Sequence, residues 1–306
     1  MTSNPIFITG CQRSGTNLLS LILDSHPQIK SVNELNLFHW EVIAPVAADQ
    51  EPSEITVEDS AKVVMVDDRI AIHLANPAYP PHVAFQLPPY ASRIAFLQSL
   101  LPRLQILWCL RDPRDVVASM LKLRLPYQRS RMKPDGSLQD APTVPWPVHS
   151  GAVVEIDHAL QQLDQPVRQG LSTYLTTYDA IRQKSPPLRT REDAVFMGAL
   201  RWRLKNELLQ VYDREQLPYL VIHYEQIVSD PRLELEKVLA YLGLPWHEDV
   251  LRHHELHSGM VIGETDSGRA IDASNTGKWQ GSLSDTELAT IRELTADLAN
   301  QLGYSK

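Results

Sequence analysis

With 306 residues, 43% of them hydrophobic and 22% charged, the chain can bury one large core or two smaller ones and has the balance of an ordinary globular protein. A formal net charge of −8 argues against a general nucleic-acid binder or a protein steered to polyanionic chains, while a local basic pocket for one nucleotide stays compatible with it. Two cysteines, Cys11 and Cys109, make neither a disulfide framework nor a metal cluster. No signal peptide is recognisable at the start and no apolar run reaches the length of a membrane span, so a cytoplasmic protein in a reducing compartment is expected.

The first elements lie in Asn4 to Leu23, NPIFITGCQRSGTNLLSLIL. Pro5 to Thr9 is a short apolar run suited to a buried strand, and it breaks at Gly10. Gly15 then precedes Thr16 and Asn17, which open a helix with Leu18, Leu19, Ile22 and Leu23 at helical spacing. A strand, a loop with a glycine at each end and a helix N-terminus present backbone N–H groups to an anion, and Arg13 adds a fork of donors. The loop has the G-x4-G frame of a nucleoside-triphosphate site, but Thr16 stands where that motif needs Lys, which disfavours an ATP or GTP enzyme. The plainer alternative is a strand-turn-helix with a solvated Arg13.

Ser25-His-Pro27 stops the helix, Gln28 to Val32 reads as extended, and Asn33-Glu34-Leu35 begins a helix to about Val46. The polar stretch 49–58 is a loop, and 61–75 is ambiguous between helix and strand. Val83 to Phe85 is a short strand ended by Gln86-Leu87-Pro88-Pro89, followed by a helix from Tyr90 to Leu101. Gln105 to Leu110 is another buried strand, and Arg111-Asp-Pro-Arg-Asp115 opens a helix to about Leu123. Strands alternating with helices imply parallel β-α-β units.

Leu125 to Pro147 carries five prolines and few periodic apolar residues, the pattern of a long surface segment or lid. Helical patterns run from Ile156 to Lys184 and from Arg191 to Arg214, with Tyr174, Tyr178, Trp202 and Tyr212 as core or pocket wall. Pro218 to His223 is a strand, Pro231 to Leu242 a helix stopped by Gly243, 253–282 irregular, and Ser284 to Leu302 a closing amphipathic helix. His253, His254 and His257 lack a metal-site frame and are not expected to bind one.

Gln12-Arg-Ser-Gly-Thr16 resembles the 5′-phosphosulfate loop of sulfotransferases that use 3′-phosphoadenosine-5′-phosphosulfate (PAPS). Ile106 to Ser119, ILWCLRDPRDVVAS, resembles that family's 3′-phosphate segment; read alone, Arg111 instead pairs with Asp112 or Asp115. Tyr219 to Trp246 resembles the third block, and Asn275-Thr-Gly-Lys278-Trp279 the C-terminal cofactor loop. The resemblance implies that Gln12, Arg13, Ser14, Gly15, Thr16 and Asn17 hold the phosphosulfate. It also implies Arg111 and Ser119 on the 3′-phosphate, Tyr224 on the nucleotide, and Lys278 with Trp279 in the last loop.

Glu34 follows Arg13 by 21 residues, a spacing most similar to tyrosylprotein sulfotransferases and bacterial relatives, where a Glu so placed is the base. A helix cap near Asn33 is the alternative. The family's Lys-x-His or Lys-x-Pro is here Gln86-Leu87-Pro88, so the Lys charge is absent.

The expectation is an α/β, P-loop-like sulfotransferase fold with a central parallel sheet flanked by helices, in a single domain over 1–306. An acceptor-side helical or irregular insertion would occupy about 124–190. PAPS is the implied donor, 3′,5′-adenosine bisphosphate (PAP) the product, and Glu34, Arg13 and Gln86 the catalytic set. The acceptor bears a hydroxyl of unspecified class, no nucleic acid or membrane span is implied, and the oligomeric state stays open. A non-catalytic nucleotide-binding or scaffold protein and a nucleotide-dependent kinase are the rival readings.

Overall fold

The computed structural model describes residues 4–32, 70, 73–127, 142–257, 261–262 and 265–304. The strands are β1 (Asn4–Gly10), β2 (Ile29–Val32), β3 (His82–Gln86), β4 (Gln105–Leu110), β5 (Arg124–Pro126), β6 (Thr143–Pro145), β7 (Tyr219–His223), β8 (Val261–Ile262) and β9 (Thr265–Asp266). The helices begin with α1 (Thr16–Asp24), α2 (Ile94–Ser99), α3 (Pro113–Lys122), α4 (Ser150–Gln162), α5 (Gln165–Gly170) and α6 (Ser172–Arg182). They continue with α7 (Arg191–Arg214), α8 (Tyr224–Ser229), α9 (Pro231–Leu242), α10 (His253–Leu256) and α11 (Asp285–Gln301). Two compact units result. Of the described residues, one holds those up to Arg111 and from Tyr212 to Thr276, and the other those from Asp112 to Val211 and from Gly277 onward.

The first unit is built on a five-stranded sheet of order β2-β3-β1-β4-β7, every neighbouring pair parallel. A parallel sheet covered on both faces needs nearly continuous apolar strands, and Ile6, Phe7 and Ile8 of β1 are all buried. On one face Leu19, Ile22 and Leu23 of α1 and Leu235, Val238, Leu239 and Leu242 of α9 pack with Ile6, Ile8, Leu107 and Ile222. On the other, Phe7 meets Phe85 at 5.5 Å, and Trp108 meets the edge of Tyr212 at 5.1 Å between centroids. Register sets Ile8 level with Gln86 and Leu107, and Gly10 level with Cys109. Gly10, Gln86, Arg111 and Tyr224 therefore all lie at the carboxyl ends of their strands, where open α/β sheets bind ligands.

The second unit is mainly helical. Its long helix α7 buries Ala194, Val195, Leu200, Trp202 and Leu204, and Tyr178 of α6 donates to Asp157 Oδ1 of α4 at 2.8 Å. Helix α11 begins with a complete capping box between Ser284 and Glu287.

The four expected strands are present, the extended stretch Gln28 to Val32 supplies the fifth strand of the sheet, and α7 and α9 have the expected bounds. Three expectations need correction. The helix expected over Tyr90 to Leu101 is a 3₁₀ turn at Pro88–Ser92 followed by α2, because Arg93 leaves helical geometry at φ −91°, ψ 58°. The helix expected over Ile156 to Lys184 is three helices, interrupted at Leu163, where ψ is 144°, and restarted beside Pro166. The expected surface segment Leu125 to Pro147 is anchored at both described ends: β5 pairs antiparallel with β6, and Leu125, Val144, Trp146 and Pro147 are buried. Residues 128–141 and the helix expected over 33–46 lie outside the described residues.

Candidate active site

The loop from β1 to α1 has a backbone that constrains its sequence. Gly10 has φ +127°, and a Cβ there would lie 2.3 Å from the Cys109 carbonyl oxygen. Gly15, the N-cap of α1, has φ +93°, and a Cβ there would meet the Tyr224 ring at 2.5 Å. Between them Arg13 also takes a left-handed conformation, φ 71°. Among the described residues no side chain caps α1, and no acidic residue occupies its first turn, so its leading N–H groups face outward with the positive end of the helix dipole. Ser14 is buried, and its Oγ has no hydrogen-bond partner among the described residues. A buried hydroxyl without a partner beside open N–H groups suits an oxyanion.

Arg111 follows β4 directly and is buried. Its Nη1 donates to the Arg13 carbonyl at 3.1 Å, Nη2 donates to the Asn275 carbonyl, and Cζ lies 4.4 Å over the Tyr224 ring. Burial pushes the Tyr224 hydroxyl above its ordinary pKa, against the opposing pull of Arg111. Gln86, at the end of β3, donates from Nε2 to Thr16 Oγ1 at 2.9 Å. The first unit thus gathers Arg13, Ser14, Gly15, Thr16, Gln86, Arg111 and Tyr224 at one end of its sheet. Gln12 and Asn17 sit half-buried in the same loop and first turn.

The second unit holds the remaining sequence candidates. Asp112 caps α3, accepting from the Arg114 backbone at 2.8 Å, and binds the Arg114 guanidinium. Asp115 is buried and accepts from the backbone N–H groups of Gly277, at 2.7 Å, and Trp279, at 3.1 Å. Arg114 Cζ lies 4.4 Å over the Trp279 ring. Helix α3 therefore clamps the turn that carries Lys278, while Ser119 lies half-buried farther along the same helix.

Asp115 was not distinguishable from sequence. An acidic residue in a first helical turn already satisfies the dipole, and nothing local marks a partner 162 residues away. Glu34 lies outside the described residues. Among the described residues no cluster of His, Cys, Asp or Glu could hold a metal ion, and no helix is long and apolar enough to cross a membrane.

Residues 5–142 match the model of the Sulfotransferase family. The chain is similar to that family over this stretch. It is 21% identical to a protein-tyrosine sulfotransferase of Drosophila melanogaster over 98% of its own length and 51% of the relative's, so it spans about half of that protein. Protein-tyrosine sulfotransferase 1 of Danio rerio is likewise 21% identical, with 98% and 72% covered. Two solved structures share the fold over the whole of this chain. They are the sulfotransferase domain of the Synechococcus PCC 7002 olefin synthase, with TM-score 0.55, 18% identity and 96% of that chain covered, and that of the curacin biosynthetic pathway, with 0.56, 16% and 99%. The expected sulfotransferase fold, a parallel sheet flanked by helices, is the one observed.

Proposed function

We propose that this protein transfers the sulfuryl group of PAPS to a hydroxyl-bearing acceptor and releases PAP. The observation that carries the reading is the N-terminus of α1, uncapped and with Ser14 Oγ buried and unpartnered among the described residues, beside a buried Arg111 at the end of the neighbouring strand, in a chain whose residues 5–142 match the Sulfotransferase family model. PAPS supplies the sulfuryl group; the chain must bind and orient it, stabilise the oxygens of the moving group and accept a proton.

Arg13, Ser14, Gly15 and Thr16, with Gln12 and Asn17, are assigned to the 5′-phosphosulfate. Arg111, Ser119 and Lys278 are assigned to the 3′-phosphate, and Tyr224 and Trp279 to the nucleotide. Glu34 is assigned as the base that takes the acceptor's hydroxyl proton, on the resemblance of its spacing from Arg13. As that proton leaves, the acceptor oxygen bonds to sulfur and the sulfur–oxygen bond to the phosphate breaks.

The relatives named protein-tyrosine sulfotransferases support a tyrosine hydroxyl on a protein as one acceptor class. We assign acceptor selection to the 124–190 segment, most of which lies beyond the matched family model. Full-length likeness in fold to two solved sulfotransferase domains supports reading 1–306 as a single sulfotransferase domain. Two buried cysteines outside any disulfide support a reducing, cytoplasmic setting.

A second reading, a non-catalytic nucleotide-binding protein, is favoured by Gln86 where the resembled motif has Lys. Labelled PAPS offered with a panel of phenols, alcohols and tyrosine peptides, alongside PAP calorimetry, decides between them. Transfer supports the enzyme, PAP binding without transfer to any acceptor supports the second reading, and absence of both overturns the site.

A further inference from the structure

We propose that Gln86 is a positioning residue: its amide fixes the direction of the Thr16 hydroxyl proton, and it acts on the bound anion only through Thr16. The inference rests on the assignment of the β1–α1 loop to a 5′-phosphate or phosphosulfate.

A hydroxyl carries one proton and two lone pairs. Thr16 Oγ1 spends a lone pair on Gln86 Nε2, 2.9 Å away, in a contact buried on both sides. The Thr16 proton is thereby turned away from Gln86. Thr16 is the first residue of α1 and directly follows Gly15, whose left-handed backbone opens the helix end, so the proton joins the donors facing the loop. Gln86 itself has little freedom to move. It is the last residue of β3 and lies level with Ile8, and the next residue's N–H donates to the Ile8 carbonyl at 3.0 Å. A neutral amide can supply this orientation without a charge, which leaves Arg13 and Arg111 as the cations of the first unit's cluster.

The test is a double-mutant cycle read by PAP calorimetry on the full chain. Gln86→Met and Thr16→Val should each weaken PAP binding by about three- to tenfold. The double variant should bind within about twofold of Thr16→Val alone, because the amide has nothing left to orient. Thr16→Ser keeps the hydroxyl, so Gln86→Met should cost it the same factor as in wild type. Losses that multiply in the double variant would mean that Gln86 touches the ligand itself, and unchanged affinity in Gln86→Met would mean that it does nothing there; either overturns the proposal. If Gln86→Met does not melt cooperatively, Gln86→Asn, one methylene too short to reach Thr16, carries the same comparison. Wild-type protein that fails to bind PAP overturns the functional reading first, and that result is distinct from a failed cycle.

Discussion

Arg111 and Arg13 divide two jobs that sequence alone assigns to both. Arg111 is held by two backbone carbonyls and the Tyr224 ring, so its guanidinium is aimed before any ligand arrives. Arg111→Ala should weaken PAP binding roughly ten- to a hundredfold and also lower the melting temperature, since it empties a buried contact set. Arg13 contributes its carbonyl to that set through the backbone, which any residue supplies. Arg13→Ala should therefore lose PAP affinity by a similar factor while melting close to wild type. Calorimetry paired with thermal melts checks both, and equal melting losses would refute the division. For Glu34, replacement by Gln should leave PAP affinity near wild type and reduce turnover by roughly 10²–10⁴ if it is the base. A lower melting temperature with turnover retained would instead identify a helix cap.

Two elements are positioned by contacts that reach far along the chain. The β1–α1 loop closes against Tyr224, and Gly15→Ala would both force a Cβ to 2.5 Å from that ring and strain a φ of +93°. We expect it to lower the melting temperature and, by displacing the helix end, PAP affinity together. The turn at 277–279 hangs on Asp115, whose carboxylate takes two backbone N–H groups. Asp115→Ala strands both donors, at about 1–3 kcal/mol for each left unsatisfied. Hydrogen exchange should show Gly277 and Trp279 losing protection ahead of the sheet amides; unchanged protection would mean that the turn is held by something else.

For the molecule as a whole, acid is the predicted weakness. His253 is fully buried, and burial, with help from His254 and His257, pulls its pKa down to about 4 from 6.5. Burial also lowers His149, His82 and His223. A histidine with a lowered folded pKa binds fewer protons folded than unfolded, so between about 6.5 and 4 stability rises with pH, and above that window its contribution is flat. Melting temperature should accordingly fall as pH is lowered from 6.5 toward 4, and His253→Phe should flatten that slope. A wild-type profile flat over this range would show that these side chains are protonated without penalty.

The sequence by itself determined the strands of the main sheet, the parallel α/β class and the strand-loop-helix around Gly10 to Asn17, because each rests on local physics. Buried parallel strands must be nearly continuous apolar runs, and a helix start after glycine presents N–H groups whatever surrounds it. Helices α7 and α9 were legible to the residue because their ends carry their own signals, Gly243 after α9 among them. Composition misled where tertiary burial overrides it: the proline-rich ends at 124–127 and 142–148 pair as strands and bury Trp146. Only the tertiary structure decided what the polar side chains do. It gave Arg111 the Arg13 and Asn275 carbonyls, Asp115 a turn 162 residues away, and Gln86 the Thr16 hydroxyl. A polar group's partner is set by direction and distance in space, and side-chain spacing along the chain carries neither.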